Sequence, residues 1–335
     1  MTERPEVSIV ICTRDRPDRL TRLLDSIRQQ QTALIFEVIV VDNHPASLAL
    51  EPLKGHLDWV HWTVEPRAGL SRARNTGIRT ARAPILVLLD DDVEVPQGWL
   101  QALVDPLSEG YDAVTGPTMP LKLDTAAELL FEAYGGHGHG RQRQEYNRDW
   151  LRRKFVCLPL WRVGGFCNAA VRREVFDGTP GNGFEELLGA GTPAGSWEDL
   201  YLFYRMLNSG YRILHEPAAA VWHAHREDLA GLEAQLCNYR RGEVCFSLLV
   251  TARHRDPRAL IHLFLWVPYW RIRLFLAEVG RRVRGRRLMP FPLMLWELMA
   301  YLSGPAALLG SLRLSRRIRM PSAPDPSPGV ARPQP

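Results

Sequence analysis

The sequence predicts an α/β protein, a doubly wound and mostly parallel sheet flanked by helices, followed by a helical extension of different character. Three observations carry this. Short aliphatic runs stop abruptly on polar residues, as where ILVLL (85–89) runs into Asp90, Asp91 and Asp92. These runs alternate with stretches of helical periodicity. The charge also changes sign along the chain: residues 1–250 hold 27 Lys and Arg against 33 Asp and Glu, whereas residues 251–320 hold 14 against 3.

Residues 7–11 read as a first buried strand. After TRDRP comes a helix with Pro17 near its start and Leu20, Leu23, Leu24 and Ile27 on one face. Residues 37–41 form a second strand ending at Asp42 and Asn43, and 59–64 a weaker third. Residues 70–81 read as a helix, and the strand that runs into the aspartates follows, at 85–89. Residues 121–165 are less regular; GGHGHG (135–140) is a loop, whose His137 and His139 are more simply solvated or acceptor-contacting than metal-bound. The glycine-rich stretch 178–197 predicts a mobile active-site loop. A helix opens at Glu198 and Asp199, with Leu200, Phe203, Tyr204 and Leu207 on one face and Gly210 at its stop. Short strands follow at 211–214 and 219–222, the second ending on His223-Ala224-His225. Sheets of this kind bind ligands at the carboxyl ends of their strands, which gathers Thr13, Asp42 and the three aspartates on one rim. The expected domains are 1–226, a helical region 227–320, and a disordered Pro-rich tail 321–335.

Five scattered cysteines without paired spacing predict reduced core residues. The apolar stretch near the N-terminus is too short for a signal peptide. In the C-terminal part, residues 259–270 and 288–312 are strongly apolar. The second is long enough for a membrane span by count, but it contains Pro290, Pro292, Glu297 and Pro305 and is flanked on both sides by arginines. Two positive flanks fit a re-entrant or in-plane segment whose ends stay cytoplasmic better than a span. Basic charge interleaved with apolar runs favours anionic lipid over nucleic acid. The alternative is a pair of ordinary core helices.

Three adjacent carboxylates repel one another. Either a solvated turn tolerates them or a divalent cation turns the repulsion into coordination. The turn after the first strand, CTRDRP, has no glycine, which argues against a dinucleotide-binding domain. Glu94 stands where a haloacid-dehalogenase-type phosphotransferase needs Thr or Val. Six segments in order, VSIVICTRDRP, EVIVVDN, GLSRARNTGIRTARAPILVLLDDD, GGFCNAAVRRE, GAGTPAGSWEDLYLFYRMLNSGYRILHEP and VWHAHR, resemble the family 2 inverting glycosyltransferases with the GT-A fold of nucleotide-diphospho-sugar transferases.

The resemblance covers roughly residues 5–226 and implies the following roles. Thr13 and Asp42 contact the nucleotide base and Asp91 the ribose, with Arg74 and Asn75 near the diphosphate. Asp90 and Asp92 hold Mg²⁺ or Mn²⁺, with His223, or else His225, as a further ligand. Asp199 is the general base that takes the acceptor hydroxyl's proton, while Glu198 is an acceptor or structural contact. The donor would be a UDP-, dTDP- or GDP-linked sugar, and the acceptor a glycan or lipid-linked molecule. The expected location is the cytoplasmic face of the cell membrane, in polysaccharide or envelope synthesis. A catalytically silent nucleotide-sugar-binding scaffold is the alternative. Such a relic would be expected to lose the aspartate pair or the base, and both are intact.

Overall fold

A computed structural model describes residues 4–137, 140, 142–179, 181–284 and 290–319. His139 and the tail 321–335 lie outside the described residues. Among the described residues there are eleven strands: β1 (Val7–Thr13), β2 (Phe36–Asp42), β3 (Val60–Val64), β4 (Ile85–Asp90), β5 (Val93–Glu94), β6 (Ala113–Thr115), β7 (Thr118–Pro120), β8 (Gln144–Tyr146), β9 (Asn168–Arg172), β10 (Ile213–His215) and β11 (Val221–His223). The large sheet has the order β3-β2-β1-β4-β9-β6-β10-β8, and a small one the order β5-β11-β7. β1 pairs in parallel with β2 and β4, β2 with β3, and β6 with β10; β9 and β8 run antiparallel to their neighbours. The expected mostly parallel sheet is present, with antiparallel insertions.

All seven residues of β1 are buried because both faces are covered. Ile9 and Ile11 join a core with Leu20, Leu23, Leu24 and Ile27 of the helix Pro17–Arg28. Val10 and Cys12 point the other way, into a core with Ala73 and Ile78 of the helix Leu70–Thr80. That second helix lies unusually close to the sheet. A Cβ on Gly77 would stand 2.3 Å from Val10 Cγ1, so only glycine permits the approach. The register sets Thr13 opposite Asp42 and Cys12 opposite Asp90, which builds the rim read from the sequence. The helix Glu198–Ser209 ends at Gly210 in the left-handed region, as expected.

Three features differ from the sequence reading. β9, at the centre of the large sheet, has the sequence NAAVR, whose alanines carry little strand preference; burial on both sides decides its conformation. The described part of the stretch 178–197 is hydrogen-bonded to other elements at Phe184, Leu188 and Ser196. Leu188 O accepts from Ser71 Oγ at 2.8 Å, Phe184 N–H donates to Asn75 Oδ1 at 2.7 Å, and Ser196 Oγ donates to Asn238 O at 2.9 Å. Finally, residues after 226 share the main core. The helix Leu229–His254 contributes Cys245, Phe246, Leu249 and Val250 to it, and Leu308 and Leu312 pack against it.

The helix Arg258–Val283 is long and apolar enough, by length and composition, to cross a membrane, and only 22% of its most apolar window is buried. Phe264, Leu265, Ile272 and Leu276 on it are exposed. Phe291–Leu302 and Gly304–Ile318 meet the same measure only together, bent by 53°. The apolar face is thus open, unlike that of an ordinary core helix.

Candidate active site

At the carboxyl ends of β1 and β4 lies a cavity of about 1620 Å³. It is lined by Thr13, Arg16, Arg74, the three aspartates, Glu198, Asp199, His223 and Arg226, and also by Arg240, Trp266, Trp270 and Leu274. Asp90 closes β4, and its Oδ1 accepts from Arg74 Nη2 at 2.8 Å. Asp91 accepts from Thr13 Oγ1 at 2.7 Å and Arg16 Nη1 at 3.0 Å. Asp92 faces Arg16 at 3.3 Å, Arg19 at 3.2 Å and His223 Nε2 at 3.2 Å. Burial raises the Asp90 and Asp91 pKa values, Asp91 to about 6, with the neighbouring aspartates adding to the shift. Burial works against charge on Asp92 as well, yet His223, Arg16 and Arg226 hold it below the ordinary carboxylate value. His223 is raised in turn: burial opposes its charge, and Asp92 outweighs burial.

Among the described residues no three His, Cys, Asp or Glu side chains form a closed metal-ligand set. An open set fits nonetheless. Asp92 and His223 face one another, Asp90 stands two residues away, and the buried carboxylates carry charge that a cation would relieve. Mg²⁺ and Mn²⁺ sites at diphosphates take few protein ligands and leave the rest to phosphate oxygens and water.

Asp199 sits in the first turn of its helix, after Trp197 in a left-handed conformation (φ 71°). Its Oδ2 accepts from Phe166 N–H at 2.9 Å and its Oδ1 from Arg74 Nη1 at 2.5 Å. The Asp199 side chain is 21% exposed, whereas that of Glu198 is 8% exposed and pairs with Arg74 at 3.0 Å. Burial, reinforced by the Asp199 charge, pushes Glu198 up to about 8. Glu198 therefore binds a proton more tightly than an ordinary carboxyl group, and Asp199 is the more open of the two. Arg74 is fully enclosed. Burial opposes its charge, but Asp199, Asp90 and Glu198 hold it cationic.

The structure brings Thr13, Arg74, Asp90, Asp91, Asp92, Asp199 and His223 to one cavity and leaves two expected residues off its wall. Asp42 is buried beside Thr13 and spent on the His44 N–H at 2.9 Å and Lys54 at 3.1 Å; Asn43 lines the cavity instead. Asn75 uses both ends of its amide on the backbone of Phe184, so it fastens a segment and does not line the cavity. His225 is 2% exposed and contacts Glu132, behind His223. Two arginines were missed. Arg16 bridges Asp91 and Asp92, and Arg226 lines the cavity with no hydrogen bond or ion pair among the described residues. Their place in TRDRP and VWHAHR, motifs already singled out, was the available signal.

Comparison with known proteins identifies the family and the fold. A family model described as glycosyl transferase family 2 matches residues 8–179. The pre-mycofactocin glycosyltransferase of Mycobacterium tuberculosis is 29% identical over 262 residues, covering 76% of this chain and 49% of that protein. Polypeptide N-acetylgalactosaminyltransferase 8 of Drosophila melanogaster is 31% identical over 245 residues, 68% of this chain and 39% of that protein. The chain thus spans less than half the length of these curated relatives. Among solved structures, residues 1–349 of S. aureus TarS with UDP-GlcNAc give a TM-score of 0.54 at 14% identity, covering 92% of both chains. The mannosyltransferase PcManGT of Pyrobaculum calidifontis, with GDP-Man and Mn²⁺, gives 0.52 at 19% identity, covering 96% of this chain and 78% of that one. These two show the fold. With a family model over half its length and a GT-A architecture, the chain belongs to glycosyl transferase family 2.

Proposed function

We propose that this protein is an inverting glycosyltransferase that moves a sugar from a UDP-, dTDP- or GDP-linked donor to a glycan or lipid-linked acceptor. One observation carries the reading: Arg74 joins the donor-side carboxylate Asp90 and the base Asp199 within a single cavity. In a single displacement the acceptor hydroxyl oxygen bonds to the anomeric carbon as its proton passes to Asp199. The bond from that carbon to the diphosphate oxygen breaks, and the nucleoside diphosphate leaves. Thr13 and Asp91 would meet the nucleoside, and Arg226 would offer its guanidinium to the diphosphate. Asp92 and His223, with Asp90 beside them, would hold Mg²⁺ or Mn²⁺, which when bound neutralises charge on the departing group. The exposed apolar face and the basic charge after residue 250 support seating on the anionic, cytoplasmic face of a membrane.

A panel of nucleotide sugars with Mn²⁺, read by thermal shift and by nucleoside diphosphate release, tests this. Stabilisation by one donor with metal-dependent release is expected. A protein that none of the donors stabilises and that releases no diphosphate would refute the reading.

A further inference from the structure

Behind the aspartates the structure holds a chain of ring nitrogens of which the proposed chemistry uses only the first, that of His223. His223 Nε2 faces Asp92 Oδ1 at 3.2 Å. Its other ring nitrogen, Nδ1, lies 3.2 Å from Nδ1 of His225, and His225 Nε2 lies 2.8 Å from Oε1 of Glu132 on the helix Ala126–Tyr134. His225 is buried, and the Phe131 ring packs edge-on against it at 4.8 Å between centroids. The ring of His137 stands 5.1 Å from that of His223.

The direction of every proton in this chain follows from its far end. An ionised carboxylate can only accept, so His225 carries a hydrogen on Nε2. With that hydrogen on Nε2 and the ring packed against Phe131, Nδ1 of His225 turns its lone pair to His223. That lone pair accepts from His223, which must hold its hydrogen on Nδ1. The remaining nitrogen, His223 Nε2, therefore presents a lone pair toward Asp92. A lone pair and a carboxylate oxygen repel at 3.2 Å unless a cation, a proton or a metal ion, sits between them.

We propose that Glu132 and His225 are positioning residues: they fix the tautomer and ring orientation of His223 so that Nε2 and Asp92 are presented together to a divalent cation. This rests on the metal reading above and extends it to Glu132, outside the six sequence motifs that carry the family resemblance, and to a supporting role for His225. Histidines that bind metals commonly donate their second ring N–H to an acceptor, and loss of that acceptor typically weakens metal binding about 10- to 100-fold.

The test uses the full chain and Mn²⁺ alone, with bound ion counted from the free Mn²⁺ signal in electron paramagnetic resonance. Glu132→Ala is expected to weaken Mn²⁺ binding about 10- to 100-fold, while Glu132→Gln, whose amide oxygen still accepts from His225, stays within about threefold. Equal affinity in wild type and Glu132→Ala would overturn the inference. Wild-type protein indistinguishable from Asp92→Ala would instead overturn the metal reading on which it rests. A second measurement does not depend on metal or activity. In ¹⁵N-histidine-labelled protein, His225 should be the Nε2–H tautomer, and His223 should carry hydrogen on Nδ1. Finding His225 as the Nδ1–H tautomer would also overturn the inference, whatever the Mn²⁺ result.

Discussion

Replacing Asp199 with Asn removes one charge and keeps the shape, so its effects can be divided by the contacts that survive. The carboxylate has two partners, Phe166 N–H and Arg74 Nη1. An amide has a single oxygen, so one of the two must be lost and an NH₂ group set against a donor. That costs stability on the order of 1–3 kcal/mol. Arg74 keeps Asp90 and Glu198, and the aspartate triplet is untouched. The donor Kd should therefore stay within about threefold. Turnover should fall about 10²- to 10⁴-fold, or about 2.7–5.4 kcal/mol, because the acceptor proton has lost its base. The assay pairs kcat from nucleoside diphosphate release with donor affinity from calorimetry. Donor affinity falling tenfold or more while bound substrate still turned over would make Asp199 a binding residue and refute the reasoning.

Asp92→Ala should abolish turnover and the extra thermal stability that metal and donor confer together; activity undiminished in EDTA would sink the metal assignment. Glu198, raised to about 8 in the fold, binds its proton more tightly there than when unfolded. Its contribution to stability is complete below about pH 4.5 and is lost as the pH rises toward 8. Glu198→Gln should flatten that decline in urea unfolding measured at pH 5 and pH 8.5, and an unchanged slope would rule it out. Serines in place of Phe264, Leu265, Ile272 and Leu276 should abolish flotation with anionic vesicles yet leave unfolding nearly unchanged; wild-type protein that fails to float would remove the membrane reading. Truncation after residue 250 is a poor substitute, since it cuts a helix at residues of the main core. Gly77→Ala should cost about 1–3 kcal/mol in denaturant, through overpacking against Val10; a neutral result would mean the helix can move away.

The fold's first half was legible because its signals are local and agree with one another. An aliphatic run that ends on Asp90 can only be a buried strand arriving at a polar edge, and Leu20, Leu23, Leu24 and Ile27 can share one face only on a helix. β9 was illegible for the opposite reason: its alanines fit several conformations, and neighbours distant in sequence choose one. The site divides along the same line. The aspartates announce themselves by their mutual repulsion. Asn75 looked equally suitable, yet whether its amide faces a cavity or the backbone of Phe184 depends on a segment 109 residues away. Arg226 went unremarked because a single arginine after a strand has many ordinary uses, and its place on the cavity wall near Asp92 shows only in three dimensions.

The ion pair between Arg74 and Glu198 joins residues 124 positions apart. Contacts of such long separation must wait for the chain between them to be ordered, which slows folding. During synthesis at about 5–20 residues per second, Arg74 emerges roughly 6 to 25 seconds before Glu198. Throughout that interval Arg74 has Asp90 to pair with, but its Nη1 lacks both Glu198 and Asp199. The full enclosure of Arg74 is thus tied to arrival of Glu198 and Asp199, and a nascent chain that stops short of residue 198 carries the complete aspartate triplet with only one of the three carboxyl groups that surround Arg74.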